Sequence, residues 1–304
     1  MRENTLLEKN ISHQQYILLL LSVNISGMNY HIISGKLSSD TNSISITNRS
    51  FRYADGLFES MFFTNNKIAF SALHLQRLYL GMKTLRINPH PLLCIEKIEE
   101  GCRLLMAKNQ ISSSARVRLQ VYRNAEGFYL PSSNKSEFLL EVFPLDRVKY
   151  KHNAAGLKIG IARNISKEAS PLSQLKTTAK QEMIIAALEA QDKRWDDALL
   201  CNSKGNIVES TNANLFIIKN NQLISPPLSD GPLNGIMRQN IIKIAPRLGL
   251  SFKAISLSPQ DLLNADEIFL SNAIVGIKWV SQLQSKSFSS KISSTILTEC
   301  NKLL

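Results

Sequence analysis

The sequence predicts an α+β protein built as two domains that meet near residue 150, with a cleft between them. Three observations carry this. Short apolar runs set between Gly, Asn and Ser recur on both sides of position 150, which is the pattern of short strands and hairpins. Longer stretches whose apolar residues share one helical face lie among them. Between the halves, PLDRVKYKHN (residues 144–153) is polar and irregular and suits a linker. Residues 28–147 then form a small α/β domain and residues 154–304 a larger one.

The elements follow in order. Tyr30 to Ile33 reads as a strand ended by Gly35-Lys36, and Ile44 to Ile46 as another. Gly56 to Phe63 and Ile68 to Phe70 flank Asn65-Asn66, a hairpin signal. Residues 72–86 form a helix, because Leu75, Leu78, Met82 and Leu85 share a face, and residues 94–108 form a second. Ala115 to Tyr122 alternates as a strand, with Val117, Leu119 and Val121 on one side. Phe138 to Phe143 is a further strand. Past the linker come a strand at Leu157 to Ala162 and a helix over 177–192 with Met183, Ala186, Ala187 and Ala190 inward. Ala198 to Cys201 and Asn206 to Glu209 flank the turn Ser203-Lys204-Gly205; Leu215 to Ile218 and Gln222 to Ser225 flank Asn220-Asn221. Residues 237–248 are helical up to a break near Pro246, with strands at Phe252 to Leu257 and Glu267 to Ser271.

Composition bounds the function. With 304 residues, folding buries roughly three quarters of the unfolded surface, so no metal or disulfide staple is needed. The four cysteines form no Cys-x-x-Cys pair and read as reduced thiols, which places the protein in the cytoplasm. The five histidines show no ligand spacing, so no metal is expected. The net charge is +12, but lysine and arginine are spread along the chain rather than striped, which argues against a nucleic-acid partner. The apolar run Tyr16 to Val23 is far short of the ~18 to 20 residues of a membrane span, so no membrane partner is expected. Met28 is followed at once by a strand-like segment. Residues 1–27 therefore read as a poorly ordered extension, or Met28 as the native start.

Five motifs carry the chemistry: FRYADGLFESM (51–61), HLQRL (74–78), QLKTTAKQE (174–182) followed by WDDALLCNSKGNIVES, VESTNANLF (208–216), and PLNGIMRQN (232–240). Singly, each fits a commonplace reading: a turn, a surface arginine, a solvated lysine, a strand end, a helix start. In this order they resemble the class IV pyridoxal 5'-phosphate (PLP)-dependent aminotransferases. This is fold type IV, which includes branched-chain and D-amino acid aminotransferases and 4-amino-4-deoxychorismate lyases. The resemblance spans about residues 29–285 and implies a D-amino acid aminotransferase-like fold, PLP as cofactor and a homodimer.

It also implies roles. Lys176 matches the Schiff-base lysine by its spacing before Asp196-Asp197-Ala198-Leu199, and Lys180 does not. Only a primary amine can join the cofactor's aldehyde and later carry the substrate's α-proton. Such an amine needs a pKa well below the usual ~10.4. Arg77 matches the phosphate arginine, and a guanidinium makes two parallel bonds to phosphate. His74, one turn back, borders the site. Glu209 matches the carboxylate that bonds the pyridine nitrogen, with Asn214 fixing the adjacent turn. Gly235, Ile236 and Met237 open a helix whose free N–H groups suit a phosphate. Ser271, Asn272 and Ala273 match further phosphate contacts. Arg118, Arg123 and Tyr129 are candidates for the substrate carboxylate. Two positions depart from the pattern. Ala54 stands for the usual first glycine, and Lys180 or Gln181 stands where relatives commonly carry an aromatic residue that reaches the phenolic oxygen.

The function expected is amino transfer between an amino acid of branched-chain or aliphatic type and a 2-oxo acid. The alternative is a lyase releasing pyruvate and 4-aminobenzoate from aminodeoxychorismate, which NGIMRQ (234–239) and Ser271-Asn272-Ala273 resemble more closely. A degenerate relative without activity is a third reading, and a basic nucleic-acid-binding module a fourth.

Overall fold

The computed structural model describes residues 30–39 and 44–304. The proposed extension 1–27 and the start at Met28 lie outside the described residues. The first half is a six-stranded antiparallel sheet in the order β2-β1-β6-β5-β3-β4. Its strands are β1 (His31–Ile33), β2 (Lys36–Ser38), β3 (Gly56–Thr64), β4 (Lys67–Ile68), β5 (Ser114–Arg123) and β6 (Ser136–Leu145). The helices are α1 (Arg49–Tyr53), α2 (Ser71–Thr84) and α3 (Ile95–Lys108).

Alternation decides what each face of this sheet does. On β3, Met61 and Phe63 enter the core with Val117, Leu119 and Val121 of β5. Phe62 points the other way and packs with Phe216 and Phe269 of the second half. One strand therefore carries side chains of both cores. Helix α2 buries His74, Arg77, Leu78, Gly81 and Met82, the i, i+3, i+4 pattern of a helix lying on a sheet. Gly81 permits the close approach, because a Cβ there would meet Leu57 Cδ1 at 2.8 Å.

The second half is a nine-stranded sheet. It contains β7 (Leu157–Ser166), β8 (Asp197–Cys201), β9 (Ile207–Ser210), β10 (Asn214–Lys219), β11 (Gln222–Ser225), β12 (Ser251–Ala254), β13 (Glu267–Asn272), β14 (Gly276–Leu283) and β15 (Lys286–Ser287). Because β9 pairs with both β8 and β10, the run β10-β13-β14-β7-β8-β9 closes on itself. Around it lie α4 (Gln181–Asp192), α5 (Ile236–Ile244), α6 (Pro259–Leu263) and α7 (Lys291–Asn301).

Several expectations need correction. Ile44 to Ile46 forms no strand: residues 44–47 bend and turn into α1, and Ile46 stays 79 % exposed. The helix expected over 177–192 begins at Gln181, because Thr177 bridges to Leu57 and the Thr178 N–H donates to Gly56 O at 3.0 Å. Ala187 is exposed and Glu189 is buried in its place, where its carboxylate accepts from the backbone N–H groups of Arg163 and Asn164. The helix near Pro246 becomes a tighter 3-10 turn over Ala245–Leu248. Helices α6 and α7 and strands β14 and β15 lie beyond what the local pattern predicts.

The linker is more ordered than its composition suggests. Tyr150 is buried, with its ring 5.4 Å from that of Phe62 and its hydroxyl donating to Ala273 O at 3.0 Å. Arg147 donates to Ile274 O at 3.2 Å. The chain between the sheets therefore also fixes the 273–274 loop. Tyr150→Phe leaves the Ala273 carbonyl without this donor and should cost about 1 to 3 kcal/mol, read as a lower midpoint in denaturant unfolding. An unchanged midpoint would show that the hydroxyl carries no weight.

Candidate active site

The site begins with a carboxylate on the buried face of β3. Glu59 accepts from Arg77 Nε at 2.8 Å and Nη2 at 2.5 Å, and its Oε2 lies 2.7 Å from His74 Nδ1. Burial alone would push this carboxyl up, but Arg77 and His74 outweigh it and hold it at about 2. An ionised carboxylate only accepts, so His74 Nδ1 carries the hydrogen. Burial lowers the His74 pKa and keeps the ring neutral. Its Nε2 is then a buried acceptor with no partner among the described residues. Pairing Nε and Nη2 with Glu59 leaves Arg77 Nη1 pointing onward, where it donates to Asn234 O at 3.2 Å.

That carbonyl belongs to a turn, Leu233–Gly235, in which each residue is tied separately. The Leu233 N–H donates to Glu209 Oε2 at 3.0 Å. Asn234 O takes Arg77. Leu233 O accepts from Asn214 Nδ2 at 2.8 Å, and a Cβ at Gly235 would overlap Asn214 Oδ1. Gly235 is required here for space rather than for its φ of −67°. Gly235 is the N-cap of α5 without a side-chain cap, so the first-turn N–H groups, Ile236 and Met237 among them, remain available to an anion. Ser271 pairs with Asn214 across β10 and β13, and its buried hydroxyl has no partner among the described residues. Asn272 Oδ1 accepts from the N–H groups of Ile274 and Val275, so this side chain holds its own loop together. Ala273 is fixed through its carbonyl by Tyr150.

Glu209 stands where the closed run of strands joins, opposite Asn214. It is buried, and its Oε1 accepts an ion pair from the equally buried Lys167.

Lys176 enters from a loop pinned to the start of β3. Its carbonyl accepts from the Phe58 N–H at 2.9 Å, and Thr178 Oγ1 donates to Ala54 O at 2.7 Å. Ala54 has φ 52°, the left-handed region that glycine favours, so the chain adopts the conformation of the usual glycine at a cost of roughly 1 to 2 kcal/mol. The Lys176 amine is 4.5 Å from the centre of the Phe58 ring. Burial lowers its pKa most, Arg77 and Lys180 lower it further, and Glu59 and Glu209 oppose them, leaving it at about 7.

The substrate candidates separate. Arg118 shares the Phe58 ring with Lys176, its guanidinium 4.3 Å from the ring centre, and it donates to Gln120 Oε1 at 2.7 Å. Arg123 is buried and heavily engaged, with Asp55, Asn134 and the carbonyls of Leu85 and Arg86. Tyr129 is exposed, its ring 5.8 Å from that of Tyr53. Arg123 and Tyr129 nonetheless line one cavity of about 340 Å³ with Arg49, Tyr53, Thr177 and Ala179. Arg49 spans Asp55 and the carbonyls of residues 127–129, and so holds the 127–129 loop as a wall of that cavity.

Three residues of the site escape a reading of the sequence. Glu59 stands out there only as part of its motif, although its place on the buried face of an alternating strand is a signal. Lys167 gives none, since Glu209 is distant in sequence, and neither does Arg49, whose wall-forming partners are the carbonyls of residues 127–129. In the apoprotein the Lys176 amine should gain reactivity toward an amine-specific reagent as pH rises through about 7, because deprotonation creates the nucleophile. Glu59→Gln removes an opposing carboxylate and should move that midpoint lower. It should also cost about 3 kcal/mol in thermal unfolding, by leaving Arg77 buried without its counter-ion. A midpoint that stays near the ordinary lysine value of ~10.4 in the native protein would contradict the buried amine.

The family model for class IV amino-transferases matches residues 56–283. The chain is 26 % identical over 262 residues to a putative branched-chain-amino-acid aminotransferase of Methanocaldococcus jannaschii, covering 85 % of this chain and 89 % of that protein. It is 24 % identical over 246 residues to the aminodeoxychorismate lyase of Vibrio harveyi, covering 80 % and 88 %. The crystal structure of the branched-chain amino acid aminotransferase from Thermobaculum terrenum, in its PLP form, superposes with a TM-score of 0.78 at 18 % identity, covering 90 % of this chain and 93 % of that one. At that identity the likeness shows the fold. The family model, which matches more than half of the chain, places this enzyme in the class IV aminotransferase family.

Proposed function

We propose that this enzyme is a PLP-dependent aminotransferase acting on an amino acid of branched-chain or aliphatic type and a 2-oxo acid. The observation that carries the reading is the low-pKa amine of Lys176, an electrostatic neighbour of both Arg77 and Glu209. PLP fits the residues present. Arg77 Nη1 bonds the Asn234 carbonyl through one N–H and has a second N–H to give, and beside it the first turn of α5 and the Ser271 hydroxyl, without a partner among the described residues, offer donors for a phosphate. Asn272 and Ala273 shape the adjoining loop. Glu209, paired with Lys167, can accept from a protonated ring nitrogen. Bound PLP supplies an electron sink for the charge left on the substrate Cα. Lys176 anchors the cofactor, and its amine takes the proton from the substrate Cα and returns it. Arg118, beside the same Phe58 ring, is the candidate to hold the substrate carboxylate, with Arg123 and Tyr129 further along the cavity.

One observation favours a second reading. The cavity next to the Lys176 loop is lined by Arg49 and Arg123 and by the rings of Tyr53 and Tyr129. An aliphatic side chain gains nothing from a wall of aromatic rings and positive potential, whereas the ring and second carboxylate of aminodeoxychorismate match both. That reading makes the enzyme a lyase forming pyruvate and 4-aminobenzoate.

We further propose a cytoplasmic homodimer. The four cysteines are free, and Phe51, Phe128, Tyr129 and Leu130 are each at least 80 % exposed, an apolar surface that a second copy would cover. A mass of 34.1 kDa by light scattering would rule the dimer out.

Turnover decides between the chemistries. Leucine with 2-oxoglutarate should yield glutamate, and the lyase reading instead gives 4-aminobenzoate from aminodeoxychorismate. Lys176→Ala should lose at least ~10³-fold in whichever activity is found. Neither product from wild-type enzyme would remove both readings.

A further inference from the structure

Lys180 is a lysine of the candidate site with no part in the chemistry described so far. It lies four residues after Lys176 and at the N-cap of α4, where its side chain makes no capping bond. The residues between them are held to the start of β3: Thr177 bridges to Leu57, and Thr178 bonds Gly56 and Ala54. Both lysines therefore leave one fixed loop. Lys180 is half-buried and is an electrostatic neighbour of Lys176, Lys167, Arg77, Glu182 and Glu209. Arg77 is paired with Glu59 and Lys167 with Glu209. The Lys180 ammonium has no ion pair or hydrogen bond among the described residues.

Charge and chemistry narrow what it would bind. Arg77 and Lys167 take Glu59 and Glu209 as their ion-pair partners, and Glu182 attracts the Lys180 ammonium without forming an ion pair with it among the described residues. A half-buried cation without a partner is unfavourable unless a ligand completes it. PLP presents four polar groups. The phosphate falls to Arg77 and the α5 turn, the ring nitrogen to Glu209, and the aldehyde to Lys176. The fourth is the phenolic oxygen, which is adjacent to the aldehyde carbon on the ring. Its partner must therefore stand beside Lys176.

We propose that Lys180 holds the cofactor's phenolic oxygen as an ammonium–phenolate pair. This rests on the PLP reading above. The pair fixes the tilt of the ring about its anchor. It also places a positive charge beside the nitrogen of Lys176, which discourages protonation there.

The test uses PLP-loaded wild-type enzyme, Lys180→Met, Lys180→Gln and Lys180→Arg, with the visible absorption of the bound cofactor followed against pH. Removing the ammonium should raise the midpoint of the spectral shift by about 1 pH unit or more in both neutral variants. Lys180→Arg should return it to within about 0.5 unit of wild type. The apoprotein melting temperature of the neutral variants should not fall, since no native contact is lost; if one variant does not fold, the other supplies the measurement. A wild-type midpoint in the neutral variants overturns the proposal. If KM for the amino substrate rises about tenfold while the midpoint holds, Lys180 serves the substrate's carboxylate instead. If wild-type enzyme shows no visible band that borohydride bleaches, the PLP reading itself fails, and this proposal fails with it.

Discussion

An excess of positive charge confined to one pocket is the constraint on which this site depends. Arg77, Lys167, Lys176 and Lys180 are gathered around Glu59 and Glu209, with Glu182 acting on Lys180. Glu59 and Glu209 are buried and each is committed to one cation, because an unpaired charge in that position would be costly. What remains unneutralised acts on Lys176. Burial removes water that would stabilise its ammonium, and the neighbouring cations repel it. The amine is therefore made nucleophilic by the same surplus that would attract a dianionic phosphate.

The fold delivers these groups through short backbone ties rather than through a large rigid surface. The turn Leu233–Gly235 touches Glu209 by its N–H, Arg77 by a carbonyl, and Asn214 by a carbonyl and by the absence of a side chain at Gly235. Glu209 and Asn214 face each other where β9 meets β10 and the strand run closes. The Lys176 loop is fastened to β3, the strand that carries Glu59. Displacing any of these ties moves a charge. The linker takes part as well, since Tyr150 and Arg147 hold the 273–274 loop that follows β13.

Transamination and elimination begin with the same demand on the protein, a base at the substrate Cα beside a buried anchor. The features that would distinguish them lie outside the charged cluster, in the cavity walled by Arg49, Arg123, Tyr53 and Tyr129. Those arginines are already engaged with Asp55 and backbone carbonyls, so they set the shape and potential of the wall more than they offer free donors.

Much of the architecture was readable from local pattern. The apolar spacing over residues 72–86 marked a helix, found at Ser71–Thr84, and alternation over Ala115 to Tyr122 marked a strand, found at Ser114–Arg123, because side-chain burial there follows the local period. The resemblance of their motifs to the class IV family proposed Lys176, Arg77 and Glu209 as groups of the candidate site. Tertiary contacts decided the rest. Residues 177–180 sit in a helix-forming stretch yet are not helical, because hydrogen bonds to residues 54–57 compete for their backbone. The placing of Glu189 rather than Ala187 on the buried face depended on two backbone N–H groups of β7 that needed an acceptor. The pairing of Lys167 with Glu209, and of Glu59 with Arg77 and His74, joins residues far apart in the chain. No local periodicity encodes such a meeting, since it exists only once strands and helices have closed around it.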